Sequence, residues 1–235
     1  MRKVAAPAGT QPGTGPAVPS SKLAHTFGVD DYDEYWRARG PRKATRRVYS
    51  RIAKVLSRLQ PPPARMLELG PGPGQFFHSM MEAGYEMYAV DASNIVIENL
   101  KAPPERLKLA DLNKGLPAFG VRFHVIVAAK VLHHITDPGG FLAQLHAALE
   151  DNGYLILTVP NIVTLKNRLR FLVGKFPKLS ASHKNFMTPH ETAELVRQSG
   201  YNVLRMLPAR RKLLSTAFPV LYSNELILVC QAGHF

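Results

Sequence analysis

MLELGPGPGQF, residues 66–76, is the stretch whose reading decides the fold. Its apolar start has the length and composition of a buried strand, which runs into Gly70, Gly72 and Gly74 and then into a helix expected over about 74–83. Glycines at such a turn let the main chain approach a ligand at the carboxyl edge of a sheet, where open α/β folds bind theirs. Glycine-rich turns also serve purely structural ends, so a second feature is needed. Asp91 supplies it: it ends the next apolar run, YEMYAV, 21 residues after Gly70. A carboxylate at that position can accept both hydroxyls of a ribose.

Outward from this turn, short apolar runs alternate with helical patterns. The helix over 74–83 is followed by YEMYAV, a helix near 94–101, RLKLA, FHVIVAAKV, a helix over about 138–149, and YLILTV. Such alternation predicts a mostly parallel sheet with helices on both faces. YNVLRML and NELILVC add two strands joined by a loop and a turn-rich segment, read as an antiparallel C-terminal hairpin. The expected fold is therefore α/β, a Rossmann-like doubly wound seven-stranded sheet with N-terminal helices. Helix punctuation agrees with this register. Asp137 and Pro138 have the character of an N-cap and a first-turn residue, and Thr188, Pro189 and Glu191 fit a capping box. Gly153 and Gly200 stand where helices are expected to end.

Upstream, Val48, Ile52, Val55, Leu56 and Leu59 recur at helical spacing within 43–59, with Arg46, Arg47, Arg51, Lys54 and Arg58 on the other faces. Pro61, Pro62 and Pro63 then stop the helix. The expected organisation is a flexible Pro/Ala/Gly tail over 1–27, a helical cover over 28–60, and a catalytic domain over 61–235 with a basic insertion at about 162–187.

The 235 residues suffice for one sizeable core, and the 46% hydrophobic content excludes a disordered chain. The single cysteine, Cys230, excludes an internal disulfide, and no Cys/His cluster has metal-site spacing, so no metal is expected. The N-terminal residues lack the apolar core of a signal peptide, and no run approaches the about 18 consecutive apolar residues of a membrane span. A cytoplasmic location is the expectation, with peripheral membrane association as a variant. Charge is the unusual quantity. Lys and Arg number 30 against 17 acids, a net +13, and +8 of it lies in residues 1–60. Such an excess suits an anionic membrane surface, an acidic carrier protein, a phosphorylated substrate or, less well, nucleic acid; it also serves solubility alone.

The glycine spacing bears on the ligand. Dinucleotide-binding turns read GxGxxG, whereas this one reads GxGxG and follows Glu68 by two positions. A carboxylate there suits a ligand with a positive amino group better than a pyrophosphate. On these residues the chain resembles the class I S-adenosylmethionine-dependent methyltransferases over about residues 64–200, with Glu68, Gly70, Gly72, Asp91, Asp111 and HVIVAAKVLHHI matching the family pattern. The resemblance implies S-adenosyl-L-methionine as cofactor. It would lie over Gly70, Pro71, Gly72 and Gly74, with its ribose on Asp91 beside Ala92, its adenine flanked by Asp111 and Leu112, and Ala129 and Lys130 alongside.

VLHHITDPGGFLAQLHAALEDNGYLILTVPN and HKNFMTPHETAELVRQSGY look like the branch that contains the ubiquinone-biosynthesis O-methyltransferases. That implies methyl transfer to oxygen on a small-molecule or lipid- or carrier-linked acceptor. The branch's glutamate in V-L-E-H is replaced here by His133. Because histidine is the side chain whose ordinary pKa suits neutral pH, His133, His134 and His183 are the candidates for removing the acceptor's proton. Along an extended segment His133 and His134 would point oppositely, so at most one is expected at the acceptor, His133 before His134 because it occupies the position of the branch's glutamate. Two further features have both a functional and a plain reading. The acid-free stretch 162–184 interleaves basic and apolar residues, as a membrane-resting or anion-gripping cover does and as a solvated helix also does. Tyr32, Tyr35 and Trp36 suit a cofactor lid or helix packing. Two rival functions stand beside the first: an RNA methyltransferase, which the charge favours but which lacks an N-P-P-Y type motif, and a non-catalytic binding module on the same fold.

Overall fold

A computed structural model describes residues 33, 36, 43–176, 184–210 and 213–233. The expected tail over 1–27, Tyr32, Tyr35 and His183 lie outside the described residues.

Helix α1 spans Lys43–Leu59 and turns Val48, Ile52 and Leu56, spaced four apart, into the core. The chain then forms β1 (Arg65–Leu69), α2 (Gln75–Glu82), β2 (Glu86–Asp91), α3 (Asn94–Asn99) and β3 (Leu107–Leu109). It continues with β4 (Phe123–Ala128), α4 (Pro138–Ala148), β5 (Leu149–Pro160), α5 (Leu165–Leu172), α6 (Pro189–Gln198) and β6 (Tyr201–Pro208). Two short helices, α7 (Leu213–Ala217) and α8 (Pro219–Tyr222), lead into β7 (Glu225–Ala232).

The seven strands form one sheet in the order β3-β2-β1-β4-β5-β7-β6. β1 to β5 run parallel, and β7 is antiparallel to both β5 and β6. Residues 66–69 of β1, 125–128 of β4 and 155–159 of β5 are buried without interruption because both faces of the sheet are covered. On one face the core is built around Phe141, Leu142, Leu145, Ala193 and Val196; on the other it is built around Val48, Ile52, Leu56, Phe76, Phe77 and Met80. Strand order reverses between β1 and β4, and there the loops leaving the two strands part to open a crevice at the carboxyl edge.

The expected doubly wound sheet with an antiparallel C-terminal pair is what forms, with four local differences. Gly153 ends no helix. α4 stops at Ala148, and residues 150–153 loop out of the β4–β5 ladder, with Asn152 at φ 62 and the Gly153 Cα close against the Phe123 carbonyl. β4 ends at Ala128 rather than at 131, because Lys130 takes φ 63, which a strand cannot continue through. The link between β6 and β7 contains α7 and α8 in place of irregular chain. The helix expected near 94–101 stops at Asn99, where Leu100 becomes extended. The capping predictions hold: Asp137 accepts from the Gly140 amide, and Thr188 and Glu191 form a reciprocal capping box.

Candidate functional site

The crevice is framed by β1 and β4. Glu68, one residue before the end of β1, is fully buried, and neither carboxyl oxygen meets a hydrogen-bond donor in ordinary geometry among the described residues. Burial drives its pKa from 4.5 up to about 8; the Tyr49 hydroxyl on α1 offsets part of the rise, and the Asp91 charge adds to it. Burial, with the Glu68 charge next, in turn holds the Tyr49 phenol well above its ordinary range. Tyr49 is held in place by stacking on Phe76 of α2, with ring centroids 4.9 Å apart. A buried carboxyl with free acceptor capacity is costly unless a cation or donor completes it.

After β1 the chain passes through Gly70, Gly72 and Gly74 at φ 64, 54 and 73. These left-handed conformations disfavour side chains, and a Cβ at Gly72 or Gly74 would also strike Trp36 or Leu100. Pro71, Gly72 and Gly74 are buried, and Gly74 caps α2. Asp91 at the end of β2 is 7% exposed; its carboxylate accepts the Ser93 amide at 2.9 Å and is also bonded by the Gly72 and Ala92 amides. Burial, assisted by the Asp33 charge, nonetheless pushes its pKa up to about 6. The glycine turn and the β2 acid thus form one unit.

Past Asp91, an open cleft of about 450 Å³ is lined by Ala92, Leu109, Ala110, Asp111, Lys114 and Gly115 among others. Its lining mixes apolar side chains with Asp111 and Lys114. The Asp111 carboxylate accepts the Asn113 amide at 2.9 Å and so fixes the floor of the cleft. Leu112, next to Asp111, is half-buried and packs against the core. On the β4 side, Ala129 is buried in the core, and Lys130 holds its main chain by donating to Thr158 Oγ1 at 2.9 Å, with Nζ 4.0 Å from Glu225.

The two histidines are not in an extended segment. Leu132–His134 is a 3-10 turn, and it brings the rings of His133 and His134 to 4.3 Å between centroids on one side of the chain, which corrects the expected opposition. His133 is buried and His134 half-buried. The His133 carbonyl accepts the Lys184 and Asn185 amides, and Asn185 Nδ2 donates to the Ile135 carbonyl, so the chain resuming at 184 is stitched to the histidine turn. Sequence reasoning passed over Tyr49, Thr158 and Asn185. For Tyr49 a signal was present, since it lies beside the apolar stripe of α1 three residues before Ile52.

A doubly wound sheet whose strand order reverses beside a glycine turn bonded to a buried β2 acid defines a Rossmann-like α/β domain. The family described as methyltransferase domain matches residues 37–206, and the chain belongs to it. A ubiquinone biosynthesis O-methyltransferase from Cereibacter sphaeroides is 29% identical over 150 residues, covering 58% of this chain and 59% of that protein. The chain thus spans about three fifths of the length of this relative. Among solved structures, an S-adenosylmethionine-dependent methyltransferase from Clostridium acetobutylicum superposes with TM-score 0.61 at 15% identity, covering 91% of this chain and 99% of that one. The 1,6-didemethyltoxoflavin-N1-methyltransferase of Burkholderia thailandensis, solved with its substrate and S-adenosylhomocysteine, superposes with TM-score 0.60 at 19% identity, covering 94% and 93%.

The residues present fit S-adenosylmethionine. The buried Glu68 carboxyl has acceptor capacity beyond the Tyr49 hydroxyl for an ammonium to fill, Asp91 is a buried carboxylate at the end of β2, and a cleft of about 450 Å³ lies beyond it.

Proposed function

We propose that this domain transfers the methyl group of S-adenosylmethionine to an oxygen of a small-molecule or lipid- or carrier-linked acceptor, with hydroxylated quinone precursors as the first class to test. The observation that carries the cofactor reading is Glu68, a fully buried carboxyl just before the glycine turn that meets the Tyr49 hydroxyl and keeps acceptor capacity for an ammonium. The bound cofactor supplies an electrophilic methyl on a sulfonium. Glu68 takes the amino group, the main chain of Gly70 to Gly74 borders the methionine portion, and Asp91 takes the ribose hydroxyls. Ala92 and Asp111 border the adenine, and Ala129 and Lys130 wall the opposite side.

Methyl transfer is an in-line displacement, so holding acceptor oxygen, carbon and sulfur in line supplies much of the acceleration. The acceptor hydroxyl loses its proton as the new C–O bond forms and the C–S bond breaks. His133 or His134 receives that proton. The 3-10 turn that follows β4 supports this role because it gathers both rings, and the Lys184 and Asn185 amides hold its His133 carbonyl.

A lipid-linked acceptor is favoured by the surface around α5. Leu169, Leu172, Val173 and Phe176 are exposed there among Lys166, Arg168, Arg170 and Lys175, and Leu213, Leu214 and Phe218 of the α7–α8 region extend the apolar area. Amphipathic basic surfaces of this kind rest on anionic bilayers.

The test is incubation with methyl-labelled S-adenosylmethionine and a panel of catechols, hydroxybenzoates with and without a prenyl tail, sugars and RNA. Label in a phenolic oxygen, lost in His133→Ala or His134→Ala with a changed pH profile, supports the proposal. Label only in RNA, or none with cofactor bound, refutes it. Sedimentation with anionic but not neutral vesicles, abolished by salt, checks the lipid-linked variant.

A further inference from the structure

Side chains far apart in sequence join the cleft beyond Asp91 to the histidine turn. Asp111, two residues past β3, accepts through Oδ1 both the Asn113 main-chain amide at 2.9 Å and Asn113 Nδ2 at 3.2 Å. It thereby caps the 3-10 turn Leu112–Lys114 and fixes the Asn113 side chain. The Asn113 Oδ1 then accepts the Thr136 amide and the Thr136 hydroxyl, each at 2.9 Å. Thr136 Oγ1 in turn accepts Lys184 Nζ at 3.2 Å. Donors and acceptors therefore run one way, from the Lys184 ammonium through the Thr136 hydroxyl and the Asn113 amide to the Asp111 carboxylate. In such a series each bond polarises the next.

Thr136 lies two residues past His134, and Asn113 Nδ2 also reaches the His134 carbonyl at 3.5 Å. The His133 carbonyl is held by the Lys184 and Asn185 amides at 2.8 and 3.3 Å. The turn that gathers both rings is thus clasped between residue 113 and residues 184–185. Position 113 needs a side chain that donates and accepts at once, which an amide does. A carboxylate there would lack the donor and face Asp111 with like charge; an aliphatic group would have neither function. Asn113, Thr136 and Lys184 are exposed, where water replaces any one of these bonds at small cost. What the series supplies is placement of the turn rather than stability of the fold.

We propose that Asn113 is a positioning residue that ties the histidine turn to the adenine side of the cofactor site, so that a nucleoside held at Asp111 sets the orientation of His133 and His134. The proposal rests on the assignment of Asp111 to the adenine and of the histidines to the acceptor's proton. A ligand beside Asp111 changes what that carboxylate faces, and the change passes through Asn113 and Thr136 to the chain at 134–136. The coupling is reciprocal, as any linkage between two sites must be.

Adenosine is the probe, because it carries the base and ribose without a sulfur or amino-acid portion that could reach the histidines. It is titrated into the full chain while the imidazole C–H resonances of His133 and His134 are followed by NMR, assigned by their loss in His133→Ala and His134→Ala. The expected result is a saturable shift of the His134 resonances in the wild type, lost in Asn113→Ala and Thr136→Val and restored in Thr136→Ser, which keeps the hydroxyl. Both variants should bind S-adenosylhomocysteine within about threefold of wild type and melt within about 3 °C of it, as weak exposed bonds require. A shift of wild-type size in both variants, or none in the wild type although adenosine competes with S-adenosylhomocysteine, overturns the tie and leaves the cofactor site. A loss that Thr136→Ser does not restore overturns the positioning role. Adenosine that fails to compete with S-adenosylhomocysteine overturns the adenine assignment and the tie with it. Failure of the histidine reading is told apart by turnover in His133→Ala and His134→Ala, which the adenosine response does not use.

Discussion

Replacing Glu68 by glutamine removes a titrating group while keeping its shape, and the buried position predicts the sign of the effect. In the unfolded chain this carboxyl titrates near 4.5; in the folded protein burial raises it to about 8. Below pH 4.5 it is protonated in both states and costs nothing. As pH rises from 4.5 to 8 the unfolded chain releases the proton and the folded chain keeps it, so folding loses about 1.4 kcal/mol per pH unit; above 8 the loss is complete. At pH 7 the loss is about 3 kcal/mol. Glutamine has no such term. Relative to wild type, Glu68→Gln should gain about 3 kcal/mol between pH 4 and pH 7, a rise in relative Tm of roughly 6–12 °C for a domain of this size. The cost of burying an amide is the same at both pH values and cancels in that difference. The same substitution should weaken S-adenosylmethionine binding, because the neutral amide cannot pair with an ammonium. The assay is thermal unfolding of both proteins from pH 4 to 8 without ligand, followed by calorimetric titration. A stability difference that does not change with pH, or that falls as pH rises, refutes the reasoning. So does cofactor affinity equal to wild type.

Cofactor affinity of the wild type should rise with pH across about 6 to 8, because Asp91 must be ionised to accept the ribose hydroxyls and Glu68 to hold the amino group; a flat calorimetric profile over that range contradicts the pairings. Gly72→Ala places a methyl 2.6 Å from the Trp36 ring at φ 54, so it should cost about 1–2 kcal/mol of backbone strain and displace the indole, seen as a shift in tryptophan emission and weaker S-adenosylhomocysteine binding. Thr188→Ala deletes the capping box of α6 and should lower stability by about 1 kcal/mol. Because the capping box is made within Thr188–Glu191, cofactor affinity should stay unchanged, and a loss of affinity would mean that α6 contributes to the site.

What the sequence determined by itself is what short-range chemistry encodes. Apolar runs of strand length placed β1 to β7, the spacing of Val48, Ile52 and Leu56 defined α1, and Asp137 and Thr188 marked helix starts through bonds made within three residues. The turn glycines, Glu68 and Asp91 were also legible, because a glycine-rich turn and an acid at a strand end are local patterns. Gly153 misled the reading because glycine ends helices and bends strands alike, and only pairing of β5 with β4 decided between them. The histidines misled it because Lys130, a non-glycine residue at positive φ, ends β4 early and lets a 3-10 turn gather both rings.

Tertiary structure alone decided which distant residues complete the site. Tyr49 meets Glu68, Trp36 covers Gly72, Asp33 binds Ser93, and Lys184 and Asn185 hold the His133 turn, across separations of 19 to 60 residues. No periodicity specifies such pairs. They follow from how α1, Asp33, Trp36 and the chain at 184–185 pack onto a sheet whose strand order reverses at β1 and β4, and packing of that kind is a property of the assembled core rather than of any segment in it.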